Sequence, residues 1–399
     1  MNQKLSIMMI ADVPRNLSQI KGGLEAATVN LITSLRLLNV DLHVVTIRNT
    51  ITHSEIVRLG DNCVIYYYPF SFKKIKILDY MWFGQRKIKS LYKRLHPNIV
   101  HMQGTGPVLL MLRGIDPHKI VITQHGIMSE EMKYKVSFFR KSKFYIKTLF
   151  DRYLIPQFDN YIAISEYNHT ILDHLQKFNM EYFTRVIHNP VNPEFFQTRA
   201  LSEKPRIVFV GLVNKLKGVH ILIEALDRLK KEGFCFTVDI VGGTKEPDYL
   251  QLINTMIRTR GLEGQVVMHG WVSQQRVKEL IQENCIFLLP SLQECLPISI
   301  AEAMAAGRVV VATQTGGIPE MFTDKESGFL FPKNDVGALT AILRELHLHP
   351  ETMTKVGAMA RKEAARKFES GTVARQTLRF YDHLTNFNSI HKLVTNDVA

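Results

Sequence analysis

Twelve short, unbroken apolar runs, six in each half of a 399-residue chain, leave room for few architectures. In the first half they are KLSIMMIA (4–11), LHVVTI (42–47), CVIYYY (63–68), NIVHM (98–102), KIVITQ (119–124) and NYIAIS (160–165). In the second they are RIVFVG (206–211), FTVDIVG (236–242), VVMHG (266–270), CIFLLP (285–290), RVVVAT (308–313) and GFLF (328–331). A strand with one wet face alternates apolar and polar residues, whereas a continuous run is buried on both faces, as in a parallel sheet covered by helices. Longer helix-compatible segments separate several of the runs. The pattern predicts an α/β chain of two doubly wound halves, with ligands at the carboxyl ends of the strands. Asn189-Pro190-Val191-Asn192-Pro193 and the polar TRALSEKP (198–205) make the best linker, which predicts domains at 1–200 and 201–371.

Composition narrows the class. A chain of this length can bury two cores, and 46% hydrophobic with 22% charged residues describes a globular protein. No stretch reaches the roughly 18 uninterrupted apolar residues of a spanning helix. The apolar start of the chain stops at Asp12, which reads as a first core strand and not as a secretory signal. Cys63, Cys235, Cys285 and Cys295 have no metal-type spacing, so a reduced cytoplasmic chain is expected.

Residues 291–307, SLQECLPISIAEAMAAG, carry two carboxylates eight positions apart, Glu294 in a loop and Glu302 in a helix-forming segment that Gly307 can stop. The free N–H groups at such a helix start suit a phosphate, and a nearby carboxylate accepts from sugar or ribose hydroxyls. VVVATQTGGIPE (309–320) and SGFLFPKND (327–335) follow in order. Upstream stand Lys21-Gly22-Gly23-Leu24-Glu25 after a first strand, Thr123-Gln124-His125-Gly126 after a middle one, and Phe209-Val210-Gly211 leading to Lys217-Gly218.

This ordered series resembles the retaining GT-B glycosyltransferases of family 4, the glycosyl transferases group 1, over nearly the whole chain. The resemblance implies two Rossmann-like domains facing each other across a cleft, with 372–399 forming a helix that returns to the first domain. It implies a nucleotide-sugar donor, UDP- or GDP-linked, bound by Gly22, Gly23, Gly211, Lys217, Glu294, Leu296, Pro297 and Glu302. Lys217 is matched to the lysine that pairs with the diphosphate, His125 to the histidine that reaches the donor sugar, Glu294 to the sugar hydroxyls and Glu302 to the ribose; His125, Glu294 and Lys217 form the catalytic set. Glu320 is a further candidate for the nucleotide. No Asp-x-Asp pair is present, so no metal or other cofactor is expected. The carboxylates match hydroxyl binders and not a nucleophile, which favours front-face displacement over a covalent intermediate.

The chain departs from that family at one charged position. Leu212 stands where the family has an arginine after the first glycine, and Lys215, Arg308 and Lys21 are the candidate replacements. Pro190 and Cys295 each stand where the family commonly has glycine.

Charge is uneven. Residues 1–200 hold 26 Lys and Arg against 15 Asp and Glu, or +11, while residues 201–399 hold 24 against 22, or +2. Most of the excess lies in 66–96 and 132–150, where cations alternate with aromatic and apolar residues. Such a face fits an anionic bilayer, with ordinary basic helix faces as the plain alternative. No nucleic-acid module is recognisable. The expectation is a transferase peripheral to the cytoplasmic face of the cell membrane, acting on a glycan or lipid-linked glycan acceptor for capsule, exopolysaccharide or lipopolysaccharide. Two alternatives remain: a soluble transferase acting on a small metabolite, and a non-catalytic nucleotide-sugar or glycan-binding partner protein. A dinucleotide oxidoreductase is disfavoured because no strand is followed by G-x-G-x-x-G.

Overall fold

The computed structural model describes residues 4–72, 76–134, 138–176, 179, 182–197 and 205–396. The linker TRALSEKP, apart from Pro205, lies outside them. The chain divides into two compact units, the first made of Met1–Leu17, Leu24–Pro190 and Ser370–Ala399, the second of Ser18–Gly23 and Val191–Glu369. The break falls at Pro190, upstream of the position near 200 read from the linker. The reason is local pairing: Val191 bridges Glu369, and its N–H donates to Phe368 O at 2.8 Å, so the two crossings run side by side.

The first unit is an eight-stranded sheet. Its strands are β1 (Leu5–Ile10), β2 (Val40–Arg48), β3 (Glu55–Arg58), β4 (Cys63–Pro69), β5 (Ile99–Gln103), β6 (Ile120–Gln124), β7 (Asn160–Ala163) and β8 (Phe183–Val186), in the order β3-β4-β2-β1-β5-β6-β7-β8. All pairs are parallel except β3 with β4. Each of the six apolar runs of this half is a strand, and β5, β6 and β7 are buried along their whole length. Side chains of this sheet, among them Met8, Ile10, Val45, Met102 and Ile122, form one core with residues of the covering segments. The edge strands β3 and β8 carry no apolar run. Glu55-Ile56-Val57-Arg58 alternates half-buried and exposed positions, as an antiparallel edge with one wet face does.

The second unit is a six-stranded parallel sheet of β9 (Arg206–Val210), β10 (Thr237–Val241), β11 (Val266–Gly270), β12 (Ile286–Leu289), β13 (Val309–Thr313) and β14 (Phe329–Phe331), in the order β11-β10-β9-β12-β13-β14. The order reverses between β9 and β12. A topological switch of this kind opens a crevice at the carboxyl ends of the two strands.

Six helices matter below: α1 (Gly23–Leu35), α2 (Phe138–Leu154), α3 (Val219–Lys231), α4 (Gln274–Glu283), α5 (Ile298–Ala305) and α6 (Ser370–Asn396). Helix α6 belongs to the first unit. Its Phe380 ring stacks on Phe183 of β8 at 5.5 Å and 5°, and its fully buried Tyr381 meets Nδ1 of His101 on β5. Among the described residues, no helix is long and apolar enough to cross a membrane.

Candidate donor site

The switch point of the second unit collects most of the residues singled out in the sequence. Gly211 follows β9 directly and donates its N–H to Val241 O at 2.9 Å. The next turn is pinned by Asn214, whose Oδ1 accepts from Lys217 N at 3.0 Å, and it closes at Gly218 with φ +67° before α3. A Cβ on Gly218 would stand 2.1 Å from Pro290 O, so only glycine lets this turn sit against the segment that follows β12. Leu292 N–H then donates to Leu216 O at 2.8 Å and ties the two connections together. The result is an ion pair between Lys217 Nζ and Glu294 Oε1. Ser291 Oγ, itself fully buried, donates to the same Oε1 at 2.7 Å.

Glu294 is held from the other side by the TQTGGIPE turn. Gly317 N–H donates to Glu294 O at 3.3 Å, and a Cβ on Gly316, whose φ is +54°, would fall 1.7 Å from that oxygen. Gly316→Ala is therefore expected to destabilise the protein by about 2 kcal/mol or more and to displace Glu294. Urea denaturation of the variant checks the first effect and donor affinity the second.

Glu302 lies on α5 and is buried, 3% exposed, and not a solvated helix glutamate. Gln274, at the start of α4, donates Nε2–H to its Oε1 at 3.0 Å. Burial pushes the Glu302 carboxyl up to about 8, with the Gln274 hydrogen bond opposing the shift. Leu296 and Pro297 are buried where they lead into α5, and Glu320 sits in the short turn after Gly317, its carbonyl accepting from Lys367 Nζ at 2.8 Å.

One replacement proposed for the missing arginine fails. Arg308 precedes β13, at the amino end of the strand and thus the opposite end from Lys217 and Glu294. It is 1% exposed and donates through Nε to Ala306 O at 2.9 Å and through Nη1 to Asn284 O. Its guanidinium satisfies carbonyls beneath the sheet and does not reach the switch point. Lys215 is exposed in the turn before Gly218, and Lys21 is exposed in the β1–α1 connection.

In that connection, Gly22 is open: a Cβ built on it meets nothing within 4 Å. Gly23 opens α1, and Ser18–Gly23 groups with the second unit. Glu25 of the same motif has a structural task, since Arg48 at the end of β2 bridges it at 2.8 Å and Asp12 at 2.9 Å.

His125 follows β6 and is the end of a buried polar chain. His125 Nε2 lies 2.7 Å from Gln103 Oε1, and the Gln103 amide nitrogen lies 3.2 Å from His101 Nε2, which also meets Thr123 Oγ1 at 2.7 Å. Burial lowers His101 to about 3 and His125 to about 4, so both rings are neutral at pH 7. Nδ1 of His125 is buried without a hydrogen-bond partner. With Nε2–H taken by Gln103, the unpartnered nitrogen is a lone pair and not an orphaned N–H, the less costly of the two. Nε2 of His125, the residue the resemblance matched to the donor sugar, is thus committed to Gln103. Gln103→Leu leaves His125 Nε2–H without its acceptor and is expected to cost about 2 kcal/mol, read from the denaturant midpoint. Neither Gln103 nor Gln274 was identifiable in the sequence, because each acts through a partner more than 20 residues away.

Two doubly wound sheets, with a lysine–carboxylate pair at the switch point of the second, define an α/β protein of the class that takes ligands in the crevice at the carboxyl ends of its strands. Residues 21–195 match the family described as Glycosyltransferase Family 4, and residues 191–363 match Glycosyl transferases group 1. The chain belongs to the GT-B glycosyl transferases group 1. It is 34% identical over 203 residues to the amylovoran biosynthesis glycosyltransferase AmsK of Erwinia amylovora, a match spanning 49% of each chain. The matched stretch thus spans about half the length of that curated relative. In structure it resembles sucrose-phosphate synthase from Thermosynechococcus elongatus, with TM-score 0.81 at 17% identity over 96% of this chain and 99% of that one. It also resembles Anabaena Alr3699/HepE in complex with UDP and glucose, with TM-score 0.70 at 17% identity over 94% and 98%.

Proposed function

We propose that this protein is a retaining glycosyltransferase that moves a sugar from a UDP- or GDP-sugar to a glycan or lipid-linked glycan in cell-surface polysaccharide biosynthesis. The observation that carries this reading is the Lys217–Glu294–Ser291 cluster at the β9/β12 switch point, with Glu302 buried on the next helix. Lys217 offsets charge gathering on the leaving diphosphate, Glu294 binds sugar hydroxyls and Glu302 binds the ribose. In the displacement, the bond from the anomeric carbon to the phosphate oxygen breaks. The bond to the acceptor oxygen forms on the same face, and the acceptor proton passes to the departing phosphate. Positioning and Lys217 do the work, without a metal ion. The HepE structure with UDP and glucose supports the donor class, and AmsK, named for amylovoran biosynthesis, supports the polysaccharide branch.

A membrane-surface acceptor is supported by α2. Tyr145, Ile146, Leu149 and Tyr153 are 47–69% exposed and fall within about 100° of one helix face, beside exposed Lys147 and Arg152. Rings and aliphatic groups would enter the interface while the cations meet anionic headgroups, and this supports the reading of a protein peripheral to the inner face of the cell membrane. Leu212, which leaves the diphosphate short of one guanidinium, supports the second reading, a non-catalytic nucleotide-sugar-binding partner.

The test is nucleotide release from a panel of UDP-, GDP- and ADP-sugars, with EDTA present, with and without anionic vesicles carrying lipid-linked glycans. Release with one donor, raised by the vesicles, supports the membrane-surface transferase. Release indifferent to vesicles points to a soluble acceptor. Donor binding without release under any condition establishes the binding protein, and an absolute need for manganese overturns the assignment of the leaving-group site.

A further inference from the structure

Trp271 follows β11 directly and is 57% exposed, at the same strand-end edge of the second unit as Gly211. A Cβ built on Gly243, two residues beyond β10, would stand 1.9 Å from Trp271 Nε1, 2.3 Å from Cδ1 and 2.4 Å from Cε2. Near-equal distances to the two atoms bonded to that nitrogen put the carbon over the ring face; an approach in the ring plane would leave both markedly farther. One face of the indole therefore lies on the bare backbone of Gly243, and the other is open. Among the described residues it has no ring or cation partner. An indole braced on one side and bare on the other is a surface built for a flat ligand.

Its neighbours say which one. Gln274, three residues on, is the donor to Glu302 Oε1, and three residues of chain reach at most about 11 Å. One short segment thus supplies both the indole and the support of the carboxylate assigned to the ribose. In a nucleoside the base is bonded to the ribose itself. We propose that Trp271 is the stacking platform for the base of the donor's nucleoside diphosphate. The proposal rests on the donor reading above and adds a residue to it. Every base offers a π face, so the platform strengthens binding of UDP and GDP alike and leaves the choice between them to hydrogen bonds elsewhere.

The chain has two tryptophans, so Trp82→Phe makes Trp271 the sole indole reporter. Titration of that protein with UDP or GDP is expected to quench its fluorescence saturably, while inorganic pyrophosphate does not. By calorimetry, Trp271→Leu is expected to bind UDP and GDP about tenfold more weakly with pyrophosphate affinity unchanged, and Trp271→Tyr to restore most of the loss. The side chain is exposed, so the thermal midpoint should hold and serves as the folding control. Unchanged nucleotide affinity in Trp271→Leu, or equal quenching by pyrophosphate, overturns the platform. If Glu302→Gln weakens UDP binding and Trp271→Leu does not, the platform alone falls. If the parent protein binds no nucleoside diphosphate, the donor reading falls with it.

Discussion

Lys217→Ala and Glu294→Ala should each lower turnover on the true donor by about 10²–10³, the loss typical when one preorganised group facing transition-state charge is removed. The structure explains why the two act as a unit. Lys217 is 21% exposed and Glu294 9%, and they share Glu294 Oε1 with Ser291. Removing one partner leaves the other charge shielded from water and unpaired, so each single variant also loses stability. The double variant removes both charges together and should be more stable than the sum of the single losses implies, by about 1 kcal/mol. Additive stability losses would mean that the pair is not coupled in solution. Lys217→Arg tests the geometry of the cation, because a planar fork does not replace a point charge inside the turn closed by Gly218. Steady-state kinetics should place the Lys217 loss in kcat, since charge on the leaving group develops in the transition state.

Glu302→Gln should stabilise the protein at pH 8 while weakening nucleotide binding. The Glu302 carboxyl is raised to about 8 by burial, above its ordinary value of 4.5. For a raised acid the folded state holds the proton that the unfolded state has released, so stability falls as pH rises through the window from 4.5 to about 8. Below that window the group is neutral in both states and the variant gains nothing. Above it the wild type bears the full cost of a buried carboxylate, and the amide variant should be more stable by roughly 2–4 kcal/mol. Thermal unfolding of both proteins at pH 5 and pH 8 measures this directly. A difference between them that does not grow with pH would show that Glu302 is hydrated and ionised in the folded state. On the proposed ribose-binding role, two hydroxyl donors favour the charged form of Glu302 once the nucleotide is present.

The twelve apolar runs predicted twelve of the strands described, because burial on both faces of a parallel sheet demands continuous apolar residues, although β11 and β14 at the edges of their sheet are only partly buried and the apolar stretch Pro107–Leu112 forms a short helix instead. The order of motifs from Lys21 to Asp335 also pointed to the glycosyl transferases group 1, and some of its glycines answer a local geometric need. Gly218 and Gly316 are examples, each required by a positive φ and by a carbonyl within about 2 Å of where a side chain would begin. Long-range pairing decided the rest. Arg308 looks like a spare phosphate cation until the sheet places it at the amino end of β13 beneath the strands. It is β5 that brings Gln103 against Nε2 of His125. Only the fold shows that α5 packs Glu302 away from water and that the end of β10 sets Gly243 against the ring of Trp271. Local rules read along the chain determine which segments become strands, turns and helix starts. Which face a side chain presents, and what stands opposite, depends on contacts between residues tens to hundreds apart, and only the folded sheets establish those.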